Sequence, residues 1–368
     1  MMTKINVGIL FGGKSTEHEV SLQSAKNVLD AIDREKYNVT LIGIDKGGRW
    51  YLNDHSHFLL NSHDPKRIAL NKGDKDVVLV PGDESRELLC LGGGYAGGKL
   101  DVIFPVLHGA FGEDGTMQGL LKLVDVPFVG AGVLGSAIAM DKDVAKRLLR
   151  DAGVPIAKFL VFSRWERKKI NFQEIVRDLG LPLFVKPANA GSSVGVSKVK
   201  NEAQFAVAID EAFSFDRKIL IEECMVGREV ECAVLGNERP IASAVGEIIA
   251  QKDFYSYEAK YIDENGALLK IPAELSGETV ASIQEQAIKA YQVLCCEGMA
   301  RVDFFLTADN VAVVNEINTI PGFTKISMYP KLWEISGISY PELIDRLIQL
   351  ALARYGEEQQ LETSYEKN

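Results

Sequence analysis

Apolar residues in the first third of the chain occur as short runs separated by polar, glycine-containing segments. Residues 5–11 form a run of strand length that ends in two glycines, and apolar positions at helical spacing follow over 17–33. Further runs of strand length occupy 39–44 and 101–107. Strands that alternate with helices predict a parallel sheet covered by helices.

The connecting segments refine this picture. Thr16 and Glu19 have the spacing of a capping box, which predicts that the first helix starts at Thr16. A helix over 115–124 and a strand over 127–130 follow the third strand. Residues 46–100 are polar and include the run GGGYAGG, and we interpret them as a surface insertion.

The pattern changes after residue 140, where strands joined by a Gly-Ser loop predict an antiparallel α+β domain. The predicted elements are a helix from Asp141 to 152, strand 156–162, helix 171–179, strand 181–187, strand 196–199, helix 201–213 and strand 218–223. Beyond Met225 the pattern predicts long strands, a helix over 278–294, a hairpin near 300–317 and a helix over 341–354. We therefore divide the chain into domains 1–139, 140–224 and 225–368.

Composition limits the classes of function. A chain of 368 residues is too long for one core, and two or three domains are expected. The net charge of −10 argues against nucleic-acid or anionic-membrane binding. Five cysteines without a CxxC pattern, after an N-terminus without a signal-peptide pattern, predict reduced thiols and a cytoplasmic protein.

Residues 8–15, GILFGGKS, satisfy the P-loop pattern, but their context argues against that function. In a P-loop the first glycine ends a strand, and bare backbone N–H groups then wrap the phosphates. Here Ile9, Leu10 and Phe11 continue the strand. We therefore expect Lys14 to bind no nucleotide.

The late hairpin carries the densest polar chemistry. Arg301 and Asp303 share one strand face, as do Glu316 and Asn318, because side chains alternate along a strand. If Asp303 lies opposite Glu316, Arg301 lies opposite Asn318. Two carboxylates and an amide oxygen suit Mg²⁺, and a guanidinium beside them would stabilise a developing anion. The alternative is a salt-bridged, solvent-exposed sheet face.

Two other segments are weaker candidates. Lys186 ends a strand before the loop GSSVG, which could cover phosphates with its N–H groups and the Ser192 and Ser193 hydroxyls, and Lys142 offers a second ammonium. The segment ILIEECMVGREVE contains Glu222, Glu223, Met225 and Glu229. Its backbone could pair with an adenine edge and Glu229 could bind ribose hydroxyls, but without further context a strand end with surface acids is the better interpretation.

Together these segments resemble the D-alanine–D-alanine ligase family of the ATP-grasp superfamily. The motifs that carry the resemblance are LFGGKSTEHEVSLQSA, LHGAFGEDGTMQG, MDKDVAKRLL, FVKPANAGSSVGVSKV, EAKY, RVDFFL and NEINTIPGFT, in order along nearly the whole chain. The resemblance implies a parallel α/β N-terminal domain followed by two α+β domains that grip ATP. The 46–100 insertion resembles that of the longer, enterobacterial-type members.

The resemblance also implies roles for individual residues. Phosphate contacts fall to Lys142, Lys186 and the Ser192–Ser193 loop, the adenosine contacts to Glu222, Glu223, Met225 and Glu229, and two Mg²⁺ ions, for which Mn²⁺ substitutes, to Asp303, Glu316 and Asn318. Glu17 and His108 match residues at the first D-alanine, Arg301 and the Gly322 N–H match oxyanion stabilisers, and Ser327 and Met328 match the second carboxylate site. Lys260 and Tyr261 match a lid over 250–266, and Glu17, Ser192 and Tyr261 match a hydrogen-bonded set.

The implied activity is ATP-dependent synthesis of D-alanyl-D-alanine through a D-alanyl phosphate, for peptidoglycan precursors, by a homodimer. One alternative is a D-alanine–D-lactate ligase, although such relatives typically carry His where this chain has Tyr261. Another is a non-catalytic nucleotide-binding regulator. We expect a regulator to have lost one of Asp303, Glu316, Asn318 or Arg301, and all four are present.

Overall fold

The computed structural model describes residues 3–83, 85–250 and 267–362, and three large sheets organise this part of the chain. The first nine strands are β1 (Ile5–Gly12), β2 (Tyr37–Ile44), β3 (Trp50–Asn53), β4 (Leu59–Leu60), β5 (Ala69–Leu70), β6 (Lys75–Val78), β7 (Glu87–Cys90), β8 (Tyr95–Lys99) and β9 (Val102–Val106). Seven of them form the N-terminal sheet in the order β8-β7-β6-β3-β2-β1-β9, while β4 pairs with β5.

The N-terminal sheet is parallel only in its β2-β1-β9 part. The strands β3, β6, β7 and β8 continue the sheet with antiparallel pairing. The predicted parallel sheet is present in β2-β1-β9, and the segment 46–100 lengthens it with antiparallel strands and contributes Val77, Leu79 and Leu88 to a buried cluster. Its strands are short and interrupted by glycine, so the sequence shows little alternation there.

The helices of the N-terminal part are α1 (His18–Ala31), α2 (Thr116–Leu123) and α3 (Val133–Met140). The N-cap residue of α1 is Glu17, so the predicted capping box at Thr16 is wrong. Glu19 instead forms an ion pair with Lys46, whose Nζ lies 2.6 Å from the Glu19 Oε1. The predicted strand 127–130 is reduced to a single bridge between Phe128 and Ile103.

The central sheet is antiparallel, as predicted, in the order β10-β13-β11-β12. Its elements are α4 (Lys142–Asp151), β10 (Phe159–Ser163), a 3₁₀ helix (Arg164–Lys169), α5 (Phe172–Leu179), β11 (Leu183–Pro187), β12 (Ser197–Val199), α6 (Glu202–Phe215) and β13 (Lys218–Glu223). This sheet has a buried cluster of its own, drawn from residues 175–221. By contrast, Ala145 and Leu149 of α4 pack into the cluster under the last sheet.

The C-terminal sheet is antiparallel in the order β16-β15-β14-β17-β18. Its elements are β14 (Arg228–Gly236), β15 (Ile241–Ala250), β16 (Ala267–Lys270), α7 (Gly277–Val293), β17 (Gly298–Leu306), β18 (Ala312–Asn318), α8 (Met328–Ile335) and α9 (Tyr340–Glu358). Only α8 was not predicted among these helices. It contains Pro330, which a helix tolerates in its first turn. In a sequence, however, proline usually indicates the end of a helix.

The N-terminal and C-terminal sheets share one buried cluster, to which α9 contributes Leu343, Leu347 and Ala351. Arg354 of α9 strengthens this junction, because its buried guanidinium donates to the carbonyls of Phe128 at 2.8 Å and Gly130 at 2.6 Å. Within the described ranges, no helix is long and apolar enough to cross a membrane.

Candidate active site

The segment with the P-loop pattern has the geometry of a core strand. Gly8 lies in the middle of β1, and Ile9, Leu10 and Phe11 are all 0% exposed. Lys14 is exposed, and its ammonium lies 5.4 Å from the centroid of the Phe111 ring. Buried side chains leave no loop here that could wrap a phosphate, in agreement with the sequence prediction.

The late hairpin has the predicted register. Asp303 pairs with Glu316, and Arg301 pairs with Asn318, across β17 and β18. The pairing then shifts, because Phe304 lies opposite Val314 and Asn315 is an extra residue in β18. A bulge of this kind bends its strand and redirects neighbouring side chains. The bulge keeps Glu316 and Asn318 on the polar face of the hairpin while Phe304 remains buried in the core.

Arg301 is the centre of this polar face. Its Nε and Nη2 atoms each donate to one Asp303 carboxylate oxygen, both at 2.7 Å. The Nε atom also lies 2.9 Å from the Oε2 of Glu231, which β14 places opposite Asp303. Asn318 donates from Nδ2 to the same Asp303 carboxylate at 3.1 Å. Two carboxylates therefore fix the plane of the guanidinium.

A second charged group lies under the central sheet. Glu222 of β13 is buried between two ammonium groups: it pairs with Lys186 of β11 and, at 2.6 Å, with Lys146 of α4. Burial alone would raise the pKa of Glu222, but the two ammonium groups lower it below its usual value. Burial lowers the pKa of Lys146. With all three groups ionised, the triad has an excess of one positive charge next to a cavity, which suits a polyphosphate.

The loop after β11 reaches from the central sheet to α1. Lys142 donates to the carbonyl of Ala190 at 2.7 Å and lies 3.6 Å from the Oε2 of Glu316. Ser192 has a φ of 51°, in the left-handed region, and its hydroxyl donates to the Glu17 carboxylate. A Cβ atom on Gly191 would lie 2.8 Å from a Glu17 oxygen, so a larger residue at 191 would have to displace the Glu17 carboxylate.

Two adjoining cavities collect most of the residues predicted for the site. The Arg301 cavity is lined by Glu17, His108, Glu113, Lys142, Ser192, Arg301, Glu316, Asn318 and Gly322, among others. The Lys186 cavity is lined by Lys142, Lys186, Ser192, Ser193, Glu222, Glu223, Met225, Glu229 and Glu316, among others. Lys142, Ser192 and Glu316 line both cavities, so a molecule in one would lie beside a molecule in the other.

Three other predicted residues, Asp303, Ser327 and Met328, lie outside the walls of these cavities. Asp303 supports the Arg301 cavity by its contacts with Arg301 and Asn318. Ser327 is the N-cap residue of α8, and the side chain of Met328 is buried. Lys260 and Tyr261 lie outside the described residues, as does most of the predicted lid.

Two groups that line the Arg301 cavity, the buried His108 and the partly buried Glu113, have displaced pKa values. Burial lowers the pKa of His108 to about 4, which keeps its imidazole neutral at physiological pH. Burial, together with the nearby Glu17 carboxylate, raises the pKa of Glu113 to about 8. Glu113 also accepts hydrogen bonds from the backbone N–H groups of Gly109, at 2.6 Å, and Ile320, at 3.0 Å.

Sequence reasoning missed Glu113, Lys146 and Glu231. Lys146 follows Lys142 by four residues, a spacing that places both on one face of a helix and could have revealed it. Glu231 similarly shares a strand face with Glu229. Glu113 occurs in a loop, where no periodicity predicts the direction of a side chain.

The fit of the hairpin to a divalent cation depends on the donors that it presents. The described residues contain no group of three or more His, Cys, Asp or Glu side chains arranged to hold a metal. Asp303, Glu316 and Asn318 offer two carboxylates and one amide on a common face. That set fits Mg²⁺, which proteins usually hold by one or two carboxylates together with water and substrate phosphate oxygens.

Family models match both parts of the chain. A model described as D-ala D-ala ligase N-terminus matches residues 6–131, and one described as D-ala D-ala ligase C-terminus matches residues 148–349. Among curated relatives, the D-alanine–D-alanine ligase of Oceanobacillus iheyensis is 59% identical, with 98% of this chain and 99% of the relative covered. D-alanine–D-alanine ligase A of Escherichia coli K12 is 55% identical, with 99% and 100% covered.

Solved structures give the same result. The D-alanine-D-alanine ligase from Coxiella burnetii has a TM-score of 0.84 and 40% identity, with 97% of this chain and 96% of that chain covered. The VanG D-Ala:D-Ser ligase from Enterococcus faecalis has a TM-score of 0.83 and 38% identity, with 95% and 100% covered.

Proposed function

This chain belongs to the D-alanine–D-alanine ligase family, and we propose that ATP occupies the Lys186 cavity while two D-alanine molecules occupy the Arg301 cavity. The chain is an ATP-grasp ligase that joins two D-alanine molecules at the expense of ATP, for the synthesis of peptidoglycan. One observation carries the assignment of the site: Lys142, Ser192 and Glu316 line both cavities, where a γ-phosphate would meet a carboxylate.

For the nucleotide, we assign the phosphates to the ammonium groups of Lys142 and Lys186. The loop with Ser192 and Ser193 would cover these phosphates with hydroxyl and N–H groups. We assign the adenine to the backbone of Glu223–Met225 and the ribose hydroxyls to Glu229. The side chain of Glu222 already holds two lysines, so its contribution is to position Lys186 rather than to contact adenine.

For the metal, we propose that Asp303, Glu316 and Asn318 hold two Mg²⁺ ions, with Mn²⁺ as a substitute. The relatives' activity implies a divalent cation only in general terms. Bound there, it would offset the negative charge of the transferring phosphoryl group. Lys142, which lies 3.6 Å from Glu316, adds a fixed positive charge at the same place.

The first chemical step activates a carboxylate. An oxygen of the first D-alanine attacks the γ-phosphorus, the bond from that phosphorus to the ADP oxygen breaks, and a D-alanyl phosphate forms. We assign the ammonium of this D-alanine to Glu17, whose position is fixed by the Ser192 hydroxyl. Neutral His108 lies in the same wall of the cavity without adding charge.

The second step forms the amide. The free amine of the second D-alanine attacks the acyl carbon, and the resulting oxyanion is stabilised by Arg301 and the Gly322 N–H before inorganic phosphate leaves. We assign the second carboxylate to Ser327 and the backbone at Met328, which adjoin the Gly322 wall of the Arg301 cavity from outside it. There α8 begins, and its first N–H groups favour an anion. Lys260 and Tyr261 remain proposals for a covering segment. A homodimer and a cytoplasmic location are likewise proposals that rest on the family.

The direct test is phosphate release from ATP, measured with and without D-alanine, with the product identified by mass. We expect release that depends on D-alanine and a product with the mass of D-alanyl-D-alanine. A depsipeptide formed preferentially from D-alanine and D-lactate would instead support the D-lactate alternative. Nucleotide binding without D-alanine-dependent turnover would support the regulator.

Replacing Lys14 by alanine should leave ATP binding unchanged. Lys14 is exposed and contacts Phe111 rather than either cavity, so KM for ATP should stay within about twofold of the unmodified protein. Lys186→Ala is the contrasting variant, and loss of a charged phosphate contact should raise KM for ATP about tenfold or more. The P-loop interpretation requires the opposite ranking.

A further inference from the structure

We propose that Ser24, a buried residue of α1, is a positioning residue that holds the Gly322 N–H in place through hydrogen bonds around the neighbouring backbone. This inference rests on the proposed function, in which that N–H group stabilises the oxyanion. It adds a role for a side chain that lines neither cavity.

Ser24 and His108 form a directional chain around the loop. The Nδ1 of His108 lies 3.0 Å from the carbonyl oxygen of Ile320, which can only accept, so Nδ1 carries the hydrogen. The Nε2 of His108 is then an acceptor for the Ser24 hydroxyl at 3.1 Å. The Ser24 oxygen in turn accepts from the N–H of Phe323 at 3.2 Å. The chain thus runs from Phe323 to Ile320 and brackets only Pro321 and Gly322.

Burial makes this chain of hydrogen bonds rigid. Ser24 and Phe323 are 0% exposed, and Ile320 is also buried. No bulk water reaches these groups to replace a lost partner, and a buried hydrogen bond in a low dielectric is expensive to leave unmade. The low pKa of His108 supports the same tautomer, because a neutral imidazole keeps Nε2 as an acceptor.

The other backbone groups of Ile320 and Phe323 are also held by hydrogen bonds. The N–H of Ile320 donates to Glu113 at 3.0 Å. The carbonyl of Phe323 accepts from Asn27 of α1 at 3.0 Å and from Tyr340 at 2.9 Å. Because Ser24, Asn27, His108 and Glu113 all belong to the N-terminal part of the chain, that part positions a loop that belongs to the C-terminal sheet. A Cβ atom at 322 would lie 2.6 Å from the Ser327 hydroxyl oxygen, so a larger residue there would have to displace that hydroxyl.

The helix α1 supplies a matched control. Ser21 lies one turn before Ser24 on the same helix and is also 0% exposed. Its oxygen accepts from the N–H of Gly12 at 2.7 Å, and its hydroxyl donates to the carbonyl of Val106. Ser21→Ala and Ser24→Ala therefore remove the same group from equal burial, but only Ser24 contacts the loop with Gly322.

The experiment compares steady-state kinetics and thermal midpoints of the unmodified protein and the variants Ser24→Ala, Ser24→Thr and Ser21→Ala. We expect Ser24→Ala to lower kcat about 10- to 100-fold, as a displaced oxyanion donor does, with KM for ATP unchanged. Ser21→Ala should lower the thermal midpoint to a similar extent but keep kcat within about threefold. Ser24→Thr, which keeps the hydroxyl, should retain more of kcat than Ser24→Ala.

Equal values of kcat for Ser24→Ala and Ser21→Ala would overturn the proposal, because the loss would then follow stability alone. A rise in KM for ATP with unchanged kcat would overturn it as well. These outcomes are distinct from failure of the proposed function, in which the unmodified protein itself would make no D-alanyl-D-alanine.

Discussion

Replacing Arg301 by lysine should lower kcat about 10²- to 10³-fold even though the positive charge is kept. Arginine presents a planar fork, and here Nε and Nη2 reach both oxygens of Asp303 at 2.7 Å while Nε also pairs with Glu231. A lysine ammonium is a point charge on a flexible stem and cannot make this bidentate contact. The cation would lose the fixed orientation that the oxyanion requires. Steady-state kinetics with ATP and D-alanine measure the effect.

The control for this variant is Arg346→Lys on α9. Arg346 also pairs with a carboxylate, that of Glu342, through Nε at 3.0 Å and Nη2 at 2.7 Å, but it is exposed. We expect unchanged kcat and a change in the free energy of unfolding below about 0.5 kcal/mol. If Arg301→Lys retained more than a tenth of kcat, the orientation of the guanidinium would not be the source of its contribution.

Replacing Glu222 by glutamine should remove about 3–5 kcal/mol from the free energy of unfolding at pH 7. The carboxylate is buried between the ammonium groups of Lys146, which is 2% exposed, and Lys186. The amide has nearly the same shape but removes the carboxylate that pairs directly with two buried ammonium groups. Lys146 is already shifted toward its neutral form by burial, which keeps the loss near the lower value. Guanidinium unfolding followed by circular dichroism measures it.

The loss of stability caused by Glu222→Gln should depend on pH. Since the pKa of Glu222 is lower in the folded chain than in the unfolded one, its contribution is present above the unfolded value of about 4.3 and is lost as pH falls through the folded value. The difference between the unmodified protein and Glu222→Gln should therefore be largest near neutrality and shrink below about pH 4. Glu285→Gln, at an exposed position of α7, should show no such difference. A constant difference down to acid pH would contradict the ion-pair explanation.

The comparison of sequence and structure separates what periodicity encodes from what it does not. Alternation along the hairpin predicted that four side chains share one face of the sheet: Arg301, Asp303, Glu316 and Asn318. The prediction was possible because side chains of a strand alternate with a period of two residues and the turn fixes the register of the two strands. The roles of these residues, inferred from their side-chain chemistry and from the resemblance, remain predictions. The bulge at Asn315 was not predicted, although the adjacent polar residues Asn315 and Glu316 interrupt the alternation of the strand.

The failures have physical causes of the same kind. The 46–100 segment was interpreted as a surface insertion because edge strands with exposed faces contain few apolar residues, yet they complete the N-terminal sheet. Lys146 and Glu231, which form buried ion pairs, were missed because a charged residue usually predicts a solvent-exposed position. Their burial depends on a counter-charge from a distant part of the chain, which no local pattern contains.

The wall common to the two cavities has a thermodynamic consequence. Lys142, Ser192 and Glu316 would contact both ligands, so occupancy of one cavity changes the electrostatic field and the side-chain freedom in the other. The affinities of nucleotide and amino acid are then linked by a coupling free energy, and the factor by which ATP changes the affinity for D-alanine must equal the factor by which D-alanine changes that for ATP. In the proposed arrangement, neither dissociation constant is a property of one ligand alone.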